Sequence, residues 1–200
     1  MARRGSYAKG IAKREEILTT ALEIVARVGY SRTTVRELAA AVGLSQTGLL
    51  HYFGTKEQLF AEILRRRDQV DVRAARESLT ESPEPADDRE GYTWIVRHNA
   101  EVPGLVQLYS RFSSEAAEEG HPAHDYFRDR YLTSRRRAGE MVRAQQAAGR
   151  LAADLDPDRL AVLLIALMDG LQVQWMYDGD VDMAEHLEYF WRLLERGGAG

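Results

Sequence analysis

Between Leu44 and Phe53 the chain carries Ser45, Gln46, Thr47, Gly48, His51 and Tyr52, a small and polar set interrupted only by Leu49 and Leu50. A Gln amide can pair bidentately with an adenine edge, and Ser or Thr hydroxyls bond either bases or phosphates. Displayed on one helix face, such residues are suited to close approach to nucleic acid. A second set, Glu118 and His121 with His124 and Asp125 nearby, has the Glu-x-x-His spacing of helical di-iron sites. That chemistry needs a second Glu-x-x-His and two further helical glutamates, and none is evident. Gly120 and Pro122 also break the helix that would bring Glu118 and His121 to one face. No Ser-His-Asp order, phosphate loop or dinucleotide fingerprint is visible, and with no cysteine the chain has no thiolate chemistry, disulfide or Cys-based metal site. The expectation is therefore a protein that is not an enzyme, with no cofactor and no metal.

The elements that must position the polar set are helical. Apolar residues recur at spacings of three and four, without period-2 alternation, so the 200 residues read as all-α. A first helix is expected at about 9–28, with Ile17, Leu18, Ala21, Leu22 and Val25 on one face and Gly29 as its stop. Short helices follow at about 34–42 and 45–52. Thr34 with Glu37 has capping-box spacing, although Thr33 can equally be the N-cap; Gly43 closes the first helix, and Ser45 caps the second. Thr55 and Gln58 open a fourth helix reaching about residue 79. The stretch 81–91, with two prolines and Asp87-Asp88, reads as a loop, and helices resume at about 92–101, 103–119, 122–148, 160–177 and 183–196. The longest apolar run, Leu160 to Met168, ends at Asp169. It is well short of the roughly 20 residues that span a bilayer, so the expectation is a soluble protein without a membrane partner.

Two short helices joined by a Gly-containing turn have the helix-turn-helix pattern, whose second helix enters the DNA major groove. A net charge of −4 argues against that partner until the chain is divided. Residues 1–67 carry twelve Lys and Arg against six Asp and Glu; the remaining 133 carry fifteen against twenty-five. A basic part is joined to an acidic one.

The segment from Lys13 to Phe60, with Arg14-Glu-Glu-Ile-Leu, Ala21-Leu, Gly29-Tyr, Thr33-Thr-Val-Arg-Glu-Leu-Ala39, Val42-Gly-Leu-Ser45, Leu49, Tyr52-Phe53 and Thr55-Lys56-Glu57, resembles the DNA-binding domain of the tetracycline-repressor (TetR) family. The match covers about a quarter of the chain, and its many spaced identities are specific. The resemblance implies an all-helical homodimer: residues 1–56 form a DNA-binding domain with a basic N-terminal arm, and residues 57–200 a helical effector-binding and dimerisation domain. It further implies that Thr33 or Thr34 bonds a phosphate with Arg36 beside it. Ser45, Gln46, Thr47 and Gly48 stand where the family contacts base edges, His51 and Tyr52 match backbone contacts, and Lys56 matches a phosphate-binding lysine. Leu50 departs from the pattern, since most members have a phosphate-bonding tyrosine there; it is assigned to packing. Arg3, Arg4, Lys9, Lys13 and Arg14 read as a solvated tail adding positive potential, although in some members such an arm reinforces phosphate or minor-groove contact.

In the acidic part, Leu163, Leu167, Leu171, Leu187, Phe190, Trp191 and Leu194 lie on two helices apolar nearly all round. They are expected to pack against their copies as a four-helix dimer interface. Trp94, Tyr109, Phe112, Tyr126, Phe127, Tyr131, Met141, Met168 and Trp175 are candidates to line a pocket for a small-molecule effector, with core packing the alternative. The function expected from the sequence is a cytoplasmic, homodimeric repressor released from a palindromic double-stranded DNA operator by a small molecule. An activator, a DNA-binding protein governed by a protein partner and, remotely, a helical metal enzyme remain alternatives.

Overall fold

The structure, a computed structural model, describes residues 2–80 and 88–197, which are mostly helical and contain no strand. By internal contacts the chain forms two compact units, Met1–Arg73 with Val102–His124, and Ala74–Glu101 with Asp125–Gly200. The domain boundary expected at residue 56 falls where the helix after the recognition pair starts. The units divide within that helix, and the first takes in a later segment as well.

Unit 1 begins with α1 (Ala2–Val28), a 3₁₀ turn (Tyr30–Arg32), α2 (Val35–Ala41) and α3 (Gln46–His51). It continues into α4 (Lys56–Thr80) and adds α6 (Pro103–Glu115). The basic stretch read as a solvated tail is helical from Ala2, so α1 starts seven residues before the expected Lys9. Ile17, Leu18, Ala21 and Val25 of α1, Leu38 and Ala39 of α2, Leu49 of α3 and Leu59, Phe60, Ile63 and Leu64 of α4 are buried. Full burial of a Leu, Ile or Phe contributes about 1.5–3 kcal/mol, so these helices are held by their shared core rather than by propensity.

α6 joins this core through a close backbone approach. A Cβ on Gly104 would stand 2.2 Å from the Val25 carbonyl oxygen and 2.8 Å from Gly29 Cα, so glycine lets the start of α6 reach the end of α1. Farther along α6, Phe112 meets Phe60 at 6.2 Å and Tyr30 at 6.5 Å between ring centroids, and Tyr30 meets Phe60 edge-on at 5.0 Å. Burial, and then the Glu115 charge, push the Tyr30 hydroxyl above its ordinary range. Tyr109 and Phe112, grouped by the sequence with the pocket aromatics, are thus buried residues of unit 1. His121 accepts the Ala123 amide on Nδ1 and forms a T-shaped pair with Phe112 at 5.4 Å between ring centroids. Glu118 and His121 lie in the turn after α6, and no metal-binding cluster of three His, Asp or Glu occurs among the described residues.

Unit 2 contains α5 (Asp88–Glu101), α7 (His124–Ala147), α8 (Pro157–Tyr177) and α9 (Met183–Gly197). Of the segment expected as a loop, 81–87 lies outside the described residues and 88–91 opens α5. The core gathers Val96, Met141, Val142, Leu160, Leu164, Met168, Leu171, Leu187 and Trp191. Ion pairs Arg89–Glu195 and Arg97–Glu188 join α5 to α9, and the Tyr131 hydroxyl donates to Asp169 Oδ2 at 2.7 Å between α7 and α8.

This core corrects part of the interface expectation. Leu171, Leu187 and Trp191 are buried within the chain, because α9 has two neighbours of its own, α5 and α8, to cover its apolar face. Leu163 is 57% exposed, while Leu167, Phe190 and Leu194 are half-buried at the core's edge. Met141 and Met168, offered as pocket residues, likewise belong to the packed core. Tyr126 and Phe127 are buried as a ring pair 4.9 Å apart, and Trp94, half-buried, stacks on His98 at 5.0 Å. Tyr131 and Trp175 are half-buried. By length and composition α8 is apolar enough to cross a bilayer, which the run ending at Asp169 understated. One of its faces packs into the unit 2 core.

Candidate nucleic-acid interface

The recognition pair is built from caps. Thr34 is the N-cap of α2: its hydroxyl oxygen accepts the Glu37 amide at 3.2 Å, and the Glu37 carboxylate accepts the Thr34 amide at 2.9 Å. The choice between Thr33 and Thr34 is thereby resolved for the cap. Thr33 is buried and its hydroxyl donates to the Gly29 carbonyl at 2.8 Å, so the structure turns it away from a phosphate. Thr34 and Arg36 are exposed at the start of α2. The turn after α2 needs Gly43, at φ +69°, where a Cβ would be strained, and Leu44 closes it by donating its amide to Ala39 O at 2.8 Å.

Ser45 then caps α3 by accepting the Gly48 amide at 3.0 Å. Leu49 is fully buried and fixes the rotation of α3, leaving Gln46, Thr47 and His51 exposed. Gly48 is half-buried; a Cβ there would lie 3.2 Å from Ser45 Oγ, so the residue keeps the N-cap close to the helix. Tyr52 is the half-buried C-cap, with its ring edge-on to His51 at 6.4 Å. Leu50 is half-buried, in keeping with a packing role. Thr55 and Gln58 exchange hydrogen bonds of 3.1 Å across the start of α4, and Lys56 is exposed there with Nζ 5.7 Å above the Phe60 ring. A six-residue helix with its amide and hydroxyl groups outward and a lysine at the next helix start can put donors and acceptors against base edges and a cation against phosphate.

Residues 17–63 match the model of the bacterial regulatory proteins of the tetR family, and residues 94–196 match the C-terminal model of BetI-type transcriptional repressors. The chain belongs to the tetR family. This TetR-family transcriptional regulator is 29% identical over 164 residues to the HTH-type transcriptional repressor Rv1474c of Mycobacterium tuberculosis, covering 80% of each chain. It resembles a solved transcriptional regulator from Saccharomonospora viridis in complex with choline, at TM-score 0.68 and 28% identity over 88% of this chain and 94% of that one. It also shares its fold with Thermus thermophilus FadR in complex with lauroyl-CoA, at TM-score 0.61 and 23% identity over 90% and 92% of the two chains.

Two features of the TetR-family regulator's head escaped sequence reasoning. α6 was assigned to the effector part although Gly104 docks it on α1; a lone glycine one residue into a helix was the only available signal. Lys13 and Arg14 were counted as loose positive charge, yet both make internal contacts, with Val42 O at 2.8 Å and Glu62 Oε2 at 2.7 Å.

Proposed function

We propose that this regulator is a cytoplasmic homodimer that represses transcription from a palindromic operator and is released by a small-molecule effector. The observation that carries the reading is the exposed face of α3, with Gln46, Thr47 and His51 outward while Leu49 anchors the helix in the core. In this reading Ser45, Gln46, Thr47 and Gly48 approach base edges, and Thr34, Arg36, His51, Tyr52 and Lys56 hold the backbone. A second copy is supported by Val162, Leu163, Ala166, Val173 and Tyr177, which leave one side of α8 apolar and exposed, and by Tyr189 and Leu193 on α9. A continuous apolar stripe of this kind marks an association surface. Two-fold pairing sets the recognition helices one DNA turn apart, about 34–36 Å.

Relatives of this fold hold choline in one case and lauroyl-CoA in another. The half-buried Trp94, Tyr131 and Trp175 of unit 2 are the aromatic groups we assign to the effector, together with the buried pair Tyr126 and Phe127. The chain passes between the units at 73–74, 101–102 and 124–125, so α4, the junction of α5 with α6 and the start of α7 can each carry a change in unit 2 to the head. Unit 2, residues 74–101 and 125–200, carries thirteen Lys and Arg against twenty Asp and Glu, an excess of acid that keeps it off phosphate and orients the head toward the duplex. Selection of bound fragments from random duplex DNA by the purified protein tests the reading. Enrichment of one inverted repeat supports it, and recovery of unenriched DNA contradicts it.

A further inference from the structure

The recognition helix is only six residues long, too short to hold a direction of its own, so something must aim it. Two adjacent residues of α1 meet the two turns that bracket it. Lys13 Nζ donates to the Val42 carbonyl oxygen at 2.8 Å and to Glu16 Oε1 at 2.8 Å. Val42 is the C-cap of α2, where a carbonyl has no helical partner and a cation is favoured by the helix dipole. Gly43 follows at φ +69°, and Ser45 is the N-cap of α3, so the ammonium holds the entry to α3. On the exit side, the Arg14 guanidinium carbon lies 5.0 Å from the Phe53 ring centroid, and Nη2 donates to Glu62 Oε2 of α4 at 2.7 Å. Phe53 is buried and sits two residues past the end of α3, its amide bonded to Leu50 O. Glu62 also pairs with Arg65, and Glu15 with Arg66 at 3.3 Å, which ties α1 to α4 beside this contact.

We propose that Lys13 and Arg14 are positioning residues that set the aim of α3, and that neither contacts phosphate although both stand in the basic N-terminal stretch. The proposal rests on the DNA-binding reading of α3. Both residues lie before residue 17, where the match to the tetR-family model starts, and the role that the resemblance suggests for the basic arm, a phosphate or minor-groove contact, is the one this proposal replaces.

The two roles separate in a salt titration. A phosphate contact contributes to every duplex alike, and its loss lowers the salt slope by about 0.9; a misaimed helix loses the selected sequence only. Lys13→Met keeps the side-chain stem and helix propensity while removing the donor. We expect it to weaken binding to the selected operator about three- to tenfold, with the affinity for a random duplex and the salt slope unchanged, and Lys13→Arg to restore operator binding. Equal loss on both duplexes with a lowered slope overturns the proposal and leaves the DNA-binding reading standing. Hydrogen exchange of the Leu44 amide in the protein without DNA is a second readout. Faster exchange in Lys13→Met supports the clamp even if no DNA is enriched, an outcome that would sink the functional reading alone. Unchanged exchange overturns the clamp.

Discussion

One carboxylate oxygen of Glu37 accepts both the main-chain amide and the hydroxyl of Thr34, each at 2.9 Å. The backbone hydrogen bond from Thr34, and then the hydroxyl, hold this carboxyl below its ordinary range. A depressed carboxylate stabilises the fold above its unfolded pKa and loses that contribution as pH falls through the folded value. We expect the protection factor of the Glu37 amide, with the intrinsic pH dependence of exchange divided out, to be constant around neutral pH and to fall in acid as the carboxylate protonates below its ordinary range. Glu37→Gln keeps an acceptor that does not titrate and should flatten the acid limb; an identical limb in the variant contradicts this role for the pair.

Lys56 and Gln46 are given different tasks, and salt separates them. Lys56→Met should weaken binding to every duplex and reduce the slope of log affinity against log salt by about 0.9. Fluorescence anisotropy on selected and random duplexes measures both quantities, and an unchanged slope removes Lys56 from the phosphate contacts.

Gly104 faces backbone rather than a flexible side chain, so the added methyl has no soft neighbour to displace. Gly104→Ala should destabilise the protein by about 3 kcal/mol, at the upper end of overpacking effects, with a lowered midpoint in chemical denaturation. A change within about 0.5 kcal/mol would mean that α6 does not approach α1 as closely as described.

Core and interface residues on α8 and α9 should respond differently. Leu163→Asp places a charge on the exposed stripe and should yield a folded monomer by sedimentation equilibrium. Leu187→Ala empties a fully buried site and should cost about 2–5 kcal/mol of stability. A Leu163→Asp protein that remains dimeric would move the interface elsewhere.

These contrasts mark what was legible in the sequence. Helix caps were readable because their spacing is local: Thr34 with Glu37, Ser45 with Gly48 and Thr55 with Gln58 all hydrogen-bond across three residues. The exposed α3 face was readable because Leu49 fixes its rotation. What failed depended on partners distant in sequence. Thr33 looked as available as Thr34 until the Gly29 carbonyl met its hydroxyl. Trp191 looked like an interface residue because a sequence does not show that α5 and α8 both cover α9. Phe112 could not be assigned to the head while its neighbours Tyr30 and Phe60, more than fifty positions earlier, were unknown.

The central claim is that α3 reads bases, and Gln46 is its sharpest point. The direct measurement is the affinity of wild type and Gln46→Ala for the selected operator and for a panel carrying each single base-pair change. Gln46→Ala is expected to lose discrimination at one symmetric pair of positions, by about 1–3 kcal/mol, and to keep it elsewhere. Unaltered affinity and discrimination at every position would contradict it.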